Sequence, residues 1–110
     1  MRLKTLGALG ENFAEDFLVA KGYKILQRNY GCKFGEIDII ALRDETIFFV
    51  EVKTRQSVEF GYPSEAIGKK KQRTMELTAM YYLDHTKHTH KGYQFKVVEI
   101  FVNEFDEVNI

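Results

Sequence analysis

Three side chains in this sequence combine type and spacing in a way that could do chemistry: Asp38, Glu51 and Lys53. Asp38 lies within Gly35 to Leu42 (GEIDIIAL), and the other two within Ile47 to Arg55 (IFFVEVKTR). Both runs are rich in β-branched and aromatic residues, and Arg43-Asp44-Glu45-Thr46 separates them, which predicts a hairpin. A turn centred on Asp44 and Glu45 sets Leu42 opposite Ile47, Asp38 opposite Glu51 and Glu36 opposite Lys53. Alternation then puts Glu36, Asp38, Glu51 and Lys53 on one face, and Ile37, Ile39, Phe48, Val50 and Val52 on the other. Near the turn the first face also becomes apolar, through Ile40, Leu42, Ile47 and Phe49, so the hairpin belongs in the middle of a sheet covered on both sides.

Facing carboxylates there are in conflict. Two unit charges about 5 Å apart repel by roughly 3 kcal/mol at an effective dielectric of about 20. Lys53 offsets part of this, and a divalent cation would offset the rest. Mg²⁺ is commonly held by one or two carboxylates, with waters and phosphate oxygens completing its shell. Such an ion polarises a phosphoryl oxygen and lowers the pKa of water, while a lysine two residues from Glu51 can orient that water and balance phosphate charge. The pattern suits phosphodiester hydrolysis. A plainer reading of the same register stands beside it: Glu36 pairs with Lys53 across the strands, and Asp38 is simply solvated.

Several elements must position these residues. Leu6, Leu9, Phe13, Ala14, Phe17 and Leu18 recur at helical spacing up to Lys21, with Gly22 as the expected cap. Tyr23 to Tyr30 is expected as a strand ahead of the hairpin. Gly61, Pro63 and Ser64 mark a connecting loop. A second helix then runs to about Leu83, with Gln72, Met75, Ala79 and Tyr82 on one stripe. Residues 84–92 read as a polar loop, Tyr93 to Val102 as a last strand, and the remainder as an acidic tail. The expected order is α-β-β-β-α-β, an α/β or α+β mixed-sheet fold in a single domain over residues 1–110, with helices on both faces of a central sheet.

The hairpin residues match the D…(D/E)xK signature of the PD-(D/E)XK nuclease superfamily, in Asp38 and Glu51-Val52-Lys53. A longer match is carried by Gly7, Gly10-Glu11, Ala14, Phe17-Leu18, Gly22-Tyr23, Arg28-Asn29-Tyr30, Gly35-Glu36-Ile37-Asp38, Phe49 to Arg55, Phe60-Gly61, Pro63 and Lys71-Gln72. In these the chain resembles the YraN family of predicted endonucleases, which are similar to archaeal Holliday junction resolvases. The resemblance implies a restriction-endonuclease-like core acting on DNA, branched DNA included, with Mg²⁺ or Mn²⁺ as cofactor. Asp38 and Glu51 would be the metal ligands, Lys53 the water-positioning lysine, and Glu11 a catalytic acid reaching the same site from the first helix. A homodimer is allowed by the same analogy. The last strand departs from the family pattern, with Gln94-Phe95-Lys96 where relatives resemble Arg-Phe-Asp. A non-catalytic nucleic-acid-binding module keeping this fold is the alternative, and a structural partner protein is a third.

Lys69-Lys70-Lys71-Gln72-Arg73 opens the second helix, where cations oppose the positive end of its dipole. Together with Arg55 these residues are candidates for phosphate contact. A solvated first turn is the ordinary explanation. His85, His88 and His90 lack a surrounding carboxylate or cysteine frame and read as a solvated loop. Tyr81 and Tyr82, like Phe48 and Phe49, read as core or helix surface.

Sixteen basic residues balance sixteen acidic ones in 110 residues, which excludes only a uniformly basic surface. The charges segregate: residues 1–66 hold 9 bases and 10 acids, residues 67–96 hold 7 and 2, and the last fourteen hold 4 acids and no base. A lone cysteine, Cys32, excludes an internal disulfide and a zinc framework. With no signal-like apolar run, the expected setting is the cytoplasm.

Overall fold

The computed structural model describes residues 3–56, 68–88, 90–102 and 108–109. The expected loop at Gly61, Pro63 and Ser64 lies outside them. Helix α1 spans Leu3–Ala20 and strand β1 Lys24–Cys32. Strands β2 (Gly35–Arg43) and β3 (Thr46–Gln56) follow, then helix α2 (Lys69–His85), strand β4 (Gly92–Val102) and a short strand β5 (Val108–Asn109). The sheet runs β1-β2-β3-β4-β5, antiparallel except for the parallel β3–β4 pair. This is an α+β fold with a mixed sheet. The added strand β5 falls where only an acidic tail is expected.

Helix α1 ends on a Schellman motif. The Tyr23 N–H donates to the Leu18 carbonyl and the Gly22 N–H to that of Val19, both at 3.0 Å. Gly22 takes a φ of 91°, a region that favours glycine, and Tyr23 packs in the same core cluster as Leu18. The register of α1 on the sheet rests on Gly10, where any Cβ would overlap the Thr54 hydroxyl of β3.

Two cores flank the sheet. Ala14 and Leu18 of α1 pack with Tyr23, Ile39, Ala41, Phe48, Val50, Val98 and Ile100. On the opposite face, Ala79 and Tyr82 of α2 pack with Ile37, Ile40, Ile47 and Phe49. The helices therefore cover both faces, as the hairpin's two apolar sides require. Phe13 is more exposed than its place in the helical stripe suggests.

The β2–β3 turn has the expected centre, with Asp44 and Glu45 at φ 51° and 61°. Register runs from Arg43↔Thr46 through Leu42↔Ile47 to Ile39↔Val50. There it stops, one position short of Asp38 and Glu51. In β1 the register against β2 shifts between Ile25 and Gln27, and Asn29 adopts φ 52°. Ile37 leaves the face of Ile39 and joins the α2-side core, so the side-chain alternation of β2 breaks at Asp38.

Candidate active site

The break at Asp38 is the structural origin of the site. In a hairpin whose two-residue turn is flanked by the bonded pair Arg43 and Thr46, the bonded pairs recur at every second position. The next would join Ile37 to Val52. Instead the Val52 N–H donates to Asp38 Oδ2 at 2.7 Å, so the carboxylate takes a bond that the ladder would give to a main-chain carbonyl. Asp38 is thereby anchored on β3 within the reach of Glu51.

Burial first, and the Glu51 carboxylate beside it second, together push the Asp38 carboxyl up to about 6. The bond from Val52 and the Lys71 charge pull in the other direction. Glu51 has a side chain only 15% exposed, and its Oε2 is buried without a hydrogen-bond partner. Lys71 Nζ lies 3.3 Å from that atom as an ion pair. The first turn of α2 thus touches the carboxylate pair. Having neither an acidic residue nor a side-chain cap there, α2 gains from Glu51 a negative charge near its positive end.

The other expected site residues divide. Lys53 is half-buried on the same strand two residues from Glu51, with no ion-pair or hydrogen-bond partner among the described residues. Glu36 is exposed and lies beyond the last β2–β3 pair, Ile39 with Val50, so the ladder does not set it opposite Lys53. The plainer ion-pair reading fails on that contact, because the β2–β3 register ends before Glu36. Glu11 meets Arg28 Nη2 at 3.3 Å, and the same guanidinium donates to Asn12 Oδ1 at 2.7 Å and lies 3.9 Å from Glu15. It is held on β1 by this arginine and not by the Asp38–Glu51 pair.

Arg55 sits 3.7 Å from Glu99 of β4, and Glu99 is only 14% exposed. Glu99 also stands beside Lys53 in the parallel register. Sequence reading missed this acid. The signal was available, since alternation in YQFKVVEIFV places Glu99 on one face with Tyr93, Phe95 and Val97. Lys69, Lys70 and Arg73 are exposed on α2. Gln72 is exposed as well, not on the buried stripe, which runs through Met75, Thr78, Ala79 and Tyr82. The helix phase is set by those four, and Gln72 falls at its edge.

Lys96, at the position where the family pattern differs, donates to Tyr23 Oη at 2.9 Å and lies over the Tyr23 and Phe48 rings, on the α1 side. His88 is packed against Tyr82 with Nε2 2.7 Å from its hydroxyl, a closer fit than a solvated loop. Among the described residues no cluster of three or more His, Cys, Asp and Glu side chains could hold a metal ion. No helix among them is long and apolar enough to cross a membrane.

Fold and site together define an α+β protein built around a carboxylate pair on a central hairpin. The model of the uncharacterised protein family UPF0102 matches residues 10–100, and the chain belongs to that family. It is 48% identical to a UPF0102 protein of Caldicellulosiruptor bescii over 114 residues, covering all of this chain and 96% of that protein. The corresponding protein of Caldicellulosiruptor saccharolyticus is 50% identical over 108 residues, covering 98% of this chain and 92% of its own. One from Clostridioides difficile is 41% identical over 104 residues, covering 94% and 91%. This is the family to which the sequence motifs point.

Proposed function

We propose that the protein is a Mg²⁺- or Mn²⁺-dependent endonuclease of the restriction-endonuclease-like class, hydrolysing DNA phosphodiester bonds in the cytoplasm. The observation that carries this reading is the Asp38–Glu51 pair itself. Two half-buried carboxylates lie together, one with its proton held up to about pH 6 and the other with a buried oxygen lacking a hydrogen bond. Lys71 brings one positive charge to the two carboxylates, so ionisation of both leaves the pair one positive charge short. Two carboxylates fit a hard divalent cation that takes its remaining ligands from water and phosphate, and do not fit zinc. Asp38 and Glu51 would hold the ion. When bound, it supplies charge to a phosphoryl oxygen and lowers the pKa of water.

The chain's own residues do the rest. The Val52 N–H fixes the Asp38 carboxylate in orientation, and Asp38 gives up its proton before it can act as a ligand. Lys53 orients the attacking water and balances the charge growing on the phosphate. Lys71, now paired with Glu51, would be free to meet a phosphate oxygen were Glu51 to hold the cation. Lys69, Lys70 and Arg73 hold the backbone of the nucleic acid without reading its sequence. Glu11 positions Arg28 in this reading and is not itself a ligand.

The test is cleavage of linear, branched and single-stranded DNA by the purified protein with Mg²⁺ or Mn²⁺. Lys53→Ala and Glu51→Ala are each expected to lower the rate at least about a hundredfold. Cleavage that persists unchanged in both variants would overturn the reading. The Lys71–Glu51 ion pair, which neutralises Glu51 without any metal, favours the alternative of a binding module that keeps the fold. That alternative predicts metal-independent binding and no hydrolysis.

A further inference from the structure

Helix α2 packs chiefly on β2 and β1, and among the described residues the same face of β4 keeps its large apolar side chains exposed. Of the seven exposed large apolar residues among those described, three are alternate positions of this one strand: Tyr93, Phe95 and Val97, at 45%, 41% and 42% exposure. They form a row. Phe95 packs on Phe49 with ring centroids 5.7 Å apart, and Tyr93 meets Phe95 edge to face at 6.0 Å. Between this row and α2 lies a cleft of about 190 Å³, lined by Gln72, Met75, Glu76, Phe95, Lys96 and Val97.

The row leads to the carboxylates. In the parallel register Phe95 stands beside Phe49, Val97 beside Glu51, and Glu99 beside Lys53. Across the cleft, Gln72 belongs to the turn of α2 that carries the exposed Lys69, Lys70 and Arg73. An aromatic platform flanked by cations and ending at a phosphodiester-cleaving centre matches the chemistry of an unpaired nucleic-acid strand. Bases stack on rings without regard to sequence, and the backbone follows the positive charge. Duplex bases, already stacked on each other, cannot use such a platform. Glu76 inside the cleft repels phosphates and so favours a base there.

Resting on the nuclease reading above, we infer that the cleft between α2 and β4 takes an unpaired segment of the substrate, stacking its bases on Phe95 and Tyr93 and delivering the adjoining phosphate toward Glu51 and Lys53. The bound class is therefore single-stranded DNA, or the unpaired arm of a branched one.

The chain has no tryptophan, so Phe95→Trp gives a probe at the platform. Its emission is expected to be quenched to saturation by oligodeoxythymidine, and far less by a duplex of equal length. Binding of both DNAs is measured in EDTA by fluorescence anisotropy, where cleavage is silent. Phe95→Ala is expected to weaken single-strand binding about tenfold, with duplex binding within twofold of wild type and affinity retained in Phe95→Tyr. Unchanged single-strand affinity in both Phe95→Ala and Tyr93→Ala would overturn the inference, as would equal losses for both DNAs. Conversion of a wild-type dimer into a monomer by Phe95→Ala, at unchanged DNA affinity, would overturn it in favour of a self-association surface. The two readings fail separately. Absence of hydrolysis with Mg²⁺ while stacking persists refutes the nuclease, and normal hydrolysis and affinity in Phe95→Ala refute the platform.

Discussion

Asp38 has a carboxyl raised to about 6 chiefly by burial, so between the ordinary carboxylate range and pH 6 the folded chain binds a proton that the unfolded chain has lost. Stability contributed by this group is therefore greatest at low pH and falls as pH rises through that window. Asn at this position can still accept the Val52 N–H and cannot ionise. Asp38→Asn is expected to melt higher than wild type at pH 8, by about 1–2 kcal/mol of stability after allowing for partial exposure, with the gain vanishing near pH 4. Thermal denaturation at the two pH values measures this. Mg²⁺ at pH 8 should raise the wild-type melting temperature and leave that of the variant unchanged, because only the ionised pair draws the ion. A wild type indifferent to Mg²⁺ would count against Asp38 as a ligand.

Among the elements, α1 is registered on β3 through the contact of Gly10 with Thr54. Gly10→Ala is expected to destabilise the fold by about 1–3 kcal/mol through overpacking, despite the helix propensity gained, and Thr54→Ala should recover part of the loss in a double-mutant cycle by urea denaturation. Additive losses would show that the two residues do not meet. The elements also show which parts of the fold could be read from the chain. The hairpin register was legible because alternation and a two-residue turn leave little choice, and the pairs from Leu42↔Ile47 to Ile39↔Val50 follow it. Its end at Asp38 was not legible, because a side chain substitutes there for the main chain. The tie of Lys71 to Glu51 was hidden for another reason: residues distant in sequence meet only once α2 docks on the sheet. Gln72 shows how one step of helix phase moves a residue out of the core.

At the scale of the whole molecule, neutrality conceals a separation of charge. The segment 67–96 carries a net +5, and the remainder of the chain offsets it. Binding to a polyanion should accordingly weaken as salt rises, with a logarithmic slope set by the phosphates contacted. Replacing Lys69, Lys70 and Arg73 together with Gln is expected to flatten that slope by about two, measured by anisotropy across a salt series. Lys71 is left out because Glu51 already occupies it. A slope unchanged in the triple variant would place the DNA elsewhere.

The one parallel pairing among the described strands also dictates an order of assembly. Strands β1, β2 and β3 form a meander of local hairpins, whereas β4 must return across α2 to lie beside β3. Non-local closure of that kind is slow and comes late. Pulse-labelled amide exchange during refolding should therefore protect β2 before β4. On the ribosome the hairpin bearing Asp38, Glu51 and Lys53 emerges well before Val97 and Glu99, so a chain still being synthesised carries this carboxylate pair without the strand that stands beside it in the sheet.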